Sequence, residues 1–374
     1  MTVFACNGAG LSTWFPHIPE IQRKLDLSDG ALGLALLGTP IGALLAMPLS
    51  SALIGRFGSR RVTLVAAMIL FVSLPLPALA PGLPLLIAAL ALLGAGNGVL
   101  DVAMNVQAVA VEKGYRRPIM STFHGVFSVG GLTGALVAVA VTSLGVEAAP
   151  HLAVMAVLLA ITVLRVSPHL LPDSPTEQRE SHGGFTWPSR ALFRLGVVAF
   201  CVLVGEGAMA DWSAVYLRNT LDTGAGFAAA GFAIFSAMMA LGRLTGDKMT
   251  AKLGPVAMLR YGGIIVAVGL GLALASASPV AALVGFACVG LGLAAGFPIA
   301  ISAAGRVPGV ASGSALMAVT TVGYAGFLAG PPIIGLVSEV SSLRLALGVV
   351  VILGAVIAYL SPTVAAHSDD VATG

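Results

Sequence analysis

The sequence predicts an all-α membrane protein with twelve transmembrane helices in two pseudo-symmetric six-helix bundles, the first helix being short. Three observations predict this fold class: an apolar composition, a series of long apolar runs, and one polar interruption near the middle of the chain. Hydrophobic residues make up 57% of the 374 residues and charged residues only 9%. These charges are too few to cover the surface of a water-soluble protein of this size. The lipid bilayer is therefore the expected solvent of the chain.

Eleven apolar runs are long enough to cross a hydrocarbon core of about 30 Å, for which a helix needs about 20 residues. They lie near residues 30–54, 62–80, 84–111, 119–145, 150–167, 193–217, 225–246, 255–276, 279–304, 310–337 and 342–361. A twelfth run, MTVFACNGAGLSTWFPHI, opens the chain and lacks the positive region and cleavage site of a signal peptide. We interpret it as a short span 1, either because the true start lies upstream of Met1 or because the helix is shortened. The other runs are spans 2 to 12.

Twelve spans sort the connecting loops onto two sides of the membrane. One side carries four basic residues, Arg23, Lys24, Arg218 and Arg344, and the other side carries the remaining 15 of the 19. Positive charge concentrates on the cytoplasmic side of membrane proteins. The second side is therefore predicted to be cytoplasmic, and both termini lie there. These loops account for the net charge of +3, so no nucleic-acid partner is needed to explain it.

The longest polar interruption, PDSPTEQRESHGGFTWPSR, divides the chain into two halves. We expect a six-helix bundle at 1–167, a cytoplasmic linker at 168–190, a second six-helix bundle at 191–361 and a cytoplasmic tail at 362–374. A shift of 196 residues aligns Arg56 with Lys252 and pairs five glycines with five others: Gly58 with Gly254, Gly94 with Gly290, Gly96 with Gly292, Gly130 with Gly326, and Gly134 with Gly330. One register shared by three separate places indicates an internal duplication.

The most informative charge within a span is Asp101, in the stretch LLGAGNGVLDVAMNVQ at residues 92–107. A carboxylate at the centre of a membrane helix costs about 2.5 to 3.5 kcal/mol to insert, so it should face a partner or a water-filled cavity. Asn97, Asp101 and Asn105 recur every four residues and therefore share one face of span 4. Such an acid is able to bind and release a proton as the cavity opens to each side. The alternative is a structural acid bonded to neighbouring helices.

Spans 5 and 7 supply three further candidates. In GEGAMADW of span 7, Glu206 lies near mid-depth and Asp211 lies toward the non-cytoplasmic side. Their directions differ by about 140°, so they share a site only if the helix breaks, which Gly205 and Gly207 would permit. We interpret Glu206 as a cavity acid and Asp211 as a substrate or gating residue near the outer mouth. His124 of span 5 is a candidate for proton release, with packing as the alternative.

Two loops carry a glycine turn flanked by basic residues: SALIGRFGSRRV after span 2 and GRLTGDKMTAKLGP after span 8. Together with RRPIMSTFHGVFSVGGLTGAL, GEGAMADWSAVYL and GYAGFLAGPPIIG, they resemble the major facilitator superfamily over essentially the whole chain. The resemblance is closest to an uncharacterised bacterial inner-membrane branch near the fucose permease group. It implies that fold, a location in the bacterial inner membrane, secondary transport and a monomer.

The resemblance also implies a cytoplasmic gate in these two loops. The gate residues would be Arg56, Gly58, Arg60, Arg61, Arg243, Asp247, Lys252 and Gly254. The alternative is that they only orient the helices and contact anionic lipid. The chain departs from the family pattern at one point, because Gly55 and Ala251 stand where an Asp usually precedes the first basic residue. Asp247 beside Arg243 is the candidate replacement in the second half.

The leading hypothesis is a secondary active transporter that moves a small solute by alternating access, driven by proton binding at Asp101, Glu206 or both. Symport is favoured over a proton-coupled efflux antiporter for drugs or metabolites because SVGGLTGAL lacks the Gly-Pro signature of drug/proton antiporters. A channel and an intramembrane enzyme are remote alternatives. The sequence contains no GxxxxGK[ST], HExxH or GxSxG motif, so no cofactor, metal or enzymatic activity is expected, and the proton gradient is the expected energy source. The resemblance suggests a sugar-like or other small polar solute.

Overall fold

The computed structural model describes residues 1–115, 120–171, 190–307, 310 and 312–365, and every regular element in this part of the chain is helical. Eleven helices in it are long and apolar enough to cross a membrane. With the shorter helix at the start of the chain they make twelve, so the predicted fold class is confirmed.

The twelve helices follow the chain in order, and some consist of two segments. Their bounds are Thr2–Trp14 for helix 1, Asp29–Leu36 and Gly38–Phe57 for helix 2, Ser59–Ser73 and Leu76–Leu79 for helix 3, Leu83–Tyr115 for helix 4, Met120–Ser143 for helix 5, Ala148–Val166 for helix 6, Arg190–Val215 for helix 7, Ala225–Leu253 for helix 8, Pro255–Ser276 for helix 9, Pro279–Leu293 and Gly296–Ala304 for helix 10, Ser312–Val340 for helix 11, and Leu343–Ala346 and Gly348–Leu360 for helix 12.

Helix 1 is short, as the sequence predicts. Its 13 residues extend about 20 Å at the α-helical rise of about 1.5 Å per residue, which is less than the thickness of a hydrocarbon core. The regular hydrogen bonding of the helix stops near Pro16, which has no backbone N–H to donate. A 3₁₀ turn at Phe15–His17 and a short helix at Ile18–Lys24 follow.

The chain forms two compact units. The first contains Met1–Glu180 and Thr223–Ala233, and the second contains Ser181–Asp222 and Ile234–Gly374. The beginning of helix 8 thus belongs to the first unit, where the rings of Phe15 and Phe232 lie 4.9 Å apart. Helix 8 therefore contributes residues to both units.

The 196-residue duplication reappears in the packing of helices inside each unit. In the first unit, Gly94 of helix 4 lies against the backbone carbonyl of Thr39 in helix 2. In the second unit, Gly290 of helix 10 lies against the backbone carbonyl of Phe235 in helix 8. Thr39 and Phe235 are themselves 196 residues apart. A Cβ atom at either glycine would collide with the facing carbonyl, so both contacts depend on the absence of a side chain.

Large apolar side chains remain exposed in both units. Leu45 and Val72 in the first unit are 70% and 67% exposed, and Leu272 and Tyr359 in the second are 67% and 82% exposed. Surfaces of this kind favour aggregation in water, whereas hydrocarbon solvates them well. The distribution of apolar side chains therefore suits a protein surrounded by lipid.

Candidate functional site

The polar face of helix 4 centres on Asp101. The side-chain amide of Asn105 donates to the backbone carbonyl of Asp101 at 2.8 Å and to its carboxylate Oδ1 at 3.3 Å. One turn earlier, the Oδ1 atom of Asn97 is buried and has no hydrogen-bond partner among the described residues. A buried acceptor without a partner costs free energy. The face therefore holds an ionisable group beside an acceptor that a solute or water would satisfy.

His124 of helix 5 lies near this face. Its imidazole is close enough to Asp101 for the two charges to interact, and its ring packs edge-on against Phe4 of helix 1 with 5.8 Å between ring centroids. The sequence treats Asp101 and His124 as separate candidates, and the structure brings them together with Asn105. An imidazole beside a carboxylate can exchange a proton with it.

Asn7 of helix 1 adds a further amide to this unit. Only 1% of Asn7 is exposed, and its Nδ2 atom contacts the Met104 sulfur at 3.8 Å. Its Oδ1 atom is buried and has no partner among the described residues. Helices 1 and 4 thus each bury one unsatisfied amide oxygen.

Glu206 and Arg243 form a salt bridge in the second unit. The Nη2 atom of Arg243 in helix 8 donates to Oε1 of Glu206 in helix 7 at 2.8 Å. The Glu206 side chain is 17% exposed and the Arg243 side chain 36% exposed. The sequence assigns Glu206 to the cavity and Arg243 to the gate, whereas in the structure the two residues are direct partners. The charge of the carboxylate is therefore compensated within the same unit.

Helix 7 runs without a break from Arg190 to Val215, so Glu206 and Asp211 point in different directions and do not share a site. Asp211 makes no hydrogen bond or salt bridge with the described residues. The next residues carry buried polar atoms that also have no partner within that part of the chain: Trp212 Nε1, Ser213 Oγ and Tyr216 Oη. Asp211 therefore adjoins unused hydrogen-bonding capacity at the end of helix 7 and at the residue that follows it.

The two glycine turns have the same geometry. Gly58 has φ 84° and ψ 152°, and Gly254 has φ 79° and ψ 156°. In each turn the glycine N–H donates to the carbonyl four residues earlier, Ile54 at 2.8 Å and Thr250 at 2.9 Å. A positive φ strains residues that carry a side chain. Both turns therefore require glycine, and helices 3 and 9 begin directly after them.

The charged residues of these turns lie mostly at the surface. The guanidinium group of Arg56 stacks over the ring of Phe57, 5.2 Å from its centroid. Arg61, Asp247 and Lys252 are exposed. Arg60 is partly buried. Within the described residues Asp247 makes no salt bridge, and Arg243 pairs with Glu206 instead.

Gln107 is a connecting residue that no motif in the sequence singles out. It is 6% exposed. Its amide nitrogen donates to Oγ of Ser59 at 2.7 Å and to the carbonyl of Leu171 at 3.1 Å, and its Oε1 accepts from the Leu171 N–H at 2.9 Å. Ser59 is the first residue after the Gly58 turn. Gln107 therefore ties helix 4 both to this turn and to the segment that follows helix 6.

Two units of membrane-length helices, a shared packing repeat and buried polar groups within the helices define a polytopic membrane transporter. More particularly, the chain belongs to the Major Facilitator Superfamily, whose family model matches residues 1–331. This is a family of secondary transporters and not of enzymes.

Several relatives and solved structures are similar over nearly their full lengths. An uncharacterized MFS-type transporter of Yersinia pestis is 40% identical over 354 residues, which cover 94% of this chain and 91% of the relative. The membrane protein MosC of Rhizobium meliloti is 34% identical, over 96% of this chain and 87% of the relative. A mutant form of the nucleoside transporter NupG superimposes with a TM-score of 0.77 at 15% identity, over 98% of each chain. The D-xylose-proton symporter gives a TM-score of 0.69 at 15% identity, over 98% of this chain and 97% of that one.

Proposed function

We propose that this transporter moves a small polar solute, sugar-like or of similar size, together with protons, and that Asp101 carries the proton. The observation behind this proposal is the grouping of Asp101, Asn105 and His124 on helices 4 and 5. An acid with an amide donor, a nearby imidazole and an unsatisfied acceptor one turn away has the elements of a coupled proton and solute site. Asn97 and Asn7 would bind the solute through their free amide oxygens.

Glu206 has a second role in this proposal. Protonation of its carboxylate would remove the charge that holds Arg243, so the pair would break when Glu206 is neutral and form again when it is ionised. Asp211 would contact the solute or the gate from its stretch of helix 7. The cytoplasmic turns at Gly58 and Gly254, with Arg56, Arg60, Arg61, Asp247 and Lys252, would form the gate.

We further propose that the protein lies in the bacterial inner membrane as a monomer related to the fucose permease group. Its bundles would span 1–167 and 191–361, with the linker at 168–190, the tail at 362–374 and both termini in the cytoplasm. On the side with four basic residues, two of those residues contact helix ends. Lys24 donates to the Ala78 carbonyl at 2.7 Å, and Arg344 donates to the carbonyls of Leu274 and Ala275 at 2.6 and 2.7 Å. These basic residues of the sparsely charged side serve as helix caps.

The test begins with the solute. Thermal-shift measurements on the purified protein would screen sugars, nucleosides, organic acids and hydrophobic cations. Nucleosides and xylose are included because proteins of the same fold carry them. The protein is then reconstituted into vesicles, and accumulation of the solute is measured under an imposed pH gradient.

We expect Asp101→Asn to lose gradient-driven accumulation and to keep exchange of solute between the two sides. The matched control is Asp222→Asn, since Asp222 is an exposed acid in the loop between helices 7 and 8. Full accumulation by Asp101→Asn would overturn the proton-binding role of this residue. Accumulation of solute inside the vesicles only when the imposed pH gradient drives protons outward would instead identify an antiporter.

A further inference from the structure

A second group of titratable side chains lies in the first unit, away from Asp101. His17 follows helix 1, and His151 lies in the first turn of helix 6. They are 0% and 5% exposed. Nε2 of His17 and Nδ1 of His151 are 2.7 Å apart. Two ring nitrogens at this distance share one proton, because one must donate and the other must accept.

The outer nitrogens of the two rings also have partners. Nδ1 of His17 lies 3.4 Å from Oε2 of Glu20, and Nε2 of His151 lies 3.4 Å from the hydroxyl of Thr13. The four side chains therefore form one hydrogen-bonded chain in the order Glu20, His17, His151, Thr13. It begins at a half-buried carboxylate and ends at a hydroxyl that is 0% exposed.

Glu20 stays ionised in this arrangement. Burial raises the pKa of its carboxyl. The hydrogen bonds from His17 and from the Ala148 N–H, with the charges of His17 and Arg23, outweigh burial and lower the pKa below its ordinary value of 4.5. The Ala148 N–H donates to the two carboxylate oxygens at 2.9 and 3.1 Å. The carboxylate is thus fixed with a negative charge facing His17.

The four ring nitrogens limit how many protons the pair can hold. Two neutral imidazoles carry two N–H groups in total. One added proton gives three: the outer nitrogen of His17 donates to Glu20, the outer nitrogen of His151 donates to Thr13, and the third proton lies between the inner nitrogens. A fourth proton would set two N–H donors against each other across the 2.7 Å contact. The positive charge of the three-proton form is balanced by the carboxylate of Glu20.

We propose that His17 and His151 form a proton-binding site that takes up one proton and exchanges it with solvent through Glu20. Glu20 lines a cavity of about 520 Å³ together with Arg23, Lys24 and Glu147. In release, the Nδ1 proton of His17 passes to the Glu20 carboxylate and then to water in the cavity, and loading reverses these steps. This site uses helices 1 and 6 and requires no solute, so it stands apart from the proposed role of Asp101.

The surrounding elements contribute few other charges. Arg23 and Lys24 belong to the short helix after helix 1, and Glu147 directly precedes helix 6. Helix 1 carries no charged residue. Helices 3 and 5 carry their titratable or charged groups, Arg60, Arg61 and His124 among the described residues, at the opposite ends. Glu20 is therefore the dominant charge facing the pair.

The test is a pH titration of the purified full chain with ¹⁵N-labelled histidine, followed by NMR between about pH 4 and pH 9. We expect the ring signals of His17 and His151 to change together in one transition that adds one proton to the pair. Nε2 of His17 and Nδ1 of His151 should share a proton before and after this transition. His169 is the internal reference, because it is exposed and lies outside the hydrogen-bonded pair. Independent conversion of both rings to full imidazolium, or no change of either ring in this range, would overturn the proposal.

Variants provide the second measurement. In Glu20→Gln we expect the midpoint of the shared transition to move to lower pH by about one unit, because a negative charge beside the proton has been removed. His151→Gln should leave His17 to titrate alone, and His169→Gln should leave the shared transition unchanged. An unchanged midpoint in Glu20→Gln would contradict the exchange route through Glu20. None of these readouts depends on solute transport, so their outcome is independent of the Asp101 experiment.

Discussion

Glu206 and Arg243 are held together by a 2.8 Å salt bridge between helices 7 and 8. Their separation in sequence is 37 residues. Because one side chain is mostly buried, the removal of either partner leaves a charge with less compensation than it has in the pair.

We expect the single variants Glu206→Gln and Arg243→Gln each to lower the unfolding temperature, and the double variant to lose less than the two losses added together. The coupling free energy should be about 1 kcal/mol, a typical value for residues in direct contact. Thermal unfolding in detergent measures all three. Asp247→Asn combined with Arg243→Gln serves as the control, since Asp247 makes no salt bridge among the described residues, and this combination should be additive. If the loss in the double variant Glu206→Gln, Arg243→Gln equals the sum of the two single losses, the contact is absent in solution.

The turn at Gly58 provides a second prediction. Gly58→Ala should destabilise the protein by about 1 to 2 kcal/mol, because alanine is strained at a φ of 84°. Gly55→Ala is the matched control three residues earlier, where an added Cβ atom meets nothing within 4 Å. Gly55 lies in helix 2, so alanine should be neutral or slightly stabilising there. Equal unfolding temperatures for the two variants would contradict the left-handed geometry of the turn.

Gln107 provides a third prediction. Gln107→Leu removes one partner of the Ser59 hydroxyl and the side chain that bonds both backbone groups of Leu171, so we expect a loss of about 1 to 3 kcal/mol of stability. Hydrogen exchange at the Leu171 amide should become faster. Gln107→Glu keeps the acceptor for this amide and loses the donor to Ser59. We expect it to retain slow exchange at Leu171, and fast exchange in both variants would rule out the Leu171 N–H bond to Gln107.

The lowered pKa of Glu20 predicts how stability changes with pH. A carboxyl whose pKa is lower in the folded state stabilises the fold above its unfolded pKa, and this contribution disappears as pH falls through the folded pKa. Glu20→Gln should therefore be less stable than the parent at neutral pH, and the difference should vanish in acid below the ordinary pKa of 4.5. Parallel thermal unfolding curves at several pH values measure this difference. A difference that is the same at neutral and acid pH would exclude ionisation as its source.

Some of these features could be predicted from the sequence because they lie within one helix or one turn. The four-residue spacing of Asp101 and Asn105 predicts a common face, and the structure joins these two side chains by a hydrogen bond. The repeat that pairs Gly94 with Gly290 also predicts equivalent elements, which the structure shows as equivalent helix contacts.

Other features depend on which helix packs against which, and the spacing within one helix contains no information about its neighbour. His17 and His151 are 134 residues apart, and Gln107 and Leu171 are 64 apart. No motif in the sequence links the members of either pair, and packing is the ordinary interpretation of a lone histidine or glutamine on a membrane helix. The partner of Arg243 could not be predicted from the sequence either, because it is Glu206 on another helix and not the nearby Asp247.

The glycine contacts of helix 4 with helix 2, and of helix 10 with helix 8, also limit how these helices can move. At Gly94 and Gly290 the backbones touch without an intervening side chain, so a small shift in register would bring a neighbouring residue that carries a side chain against the facing carbonyl. We therefore expect each of these helix pairs to move together at its glycine contact. Any change in helix packing within either unit is then expected at contacts other than these two.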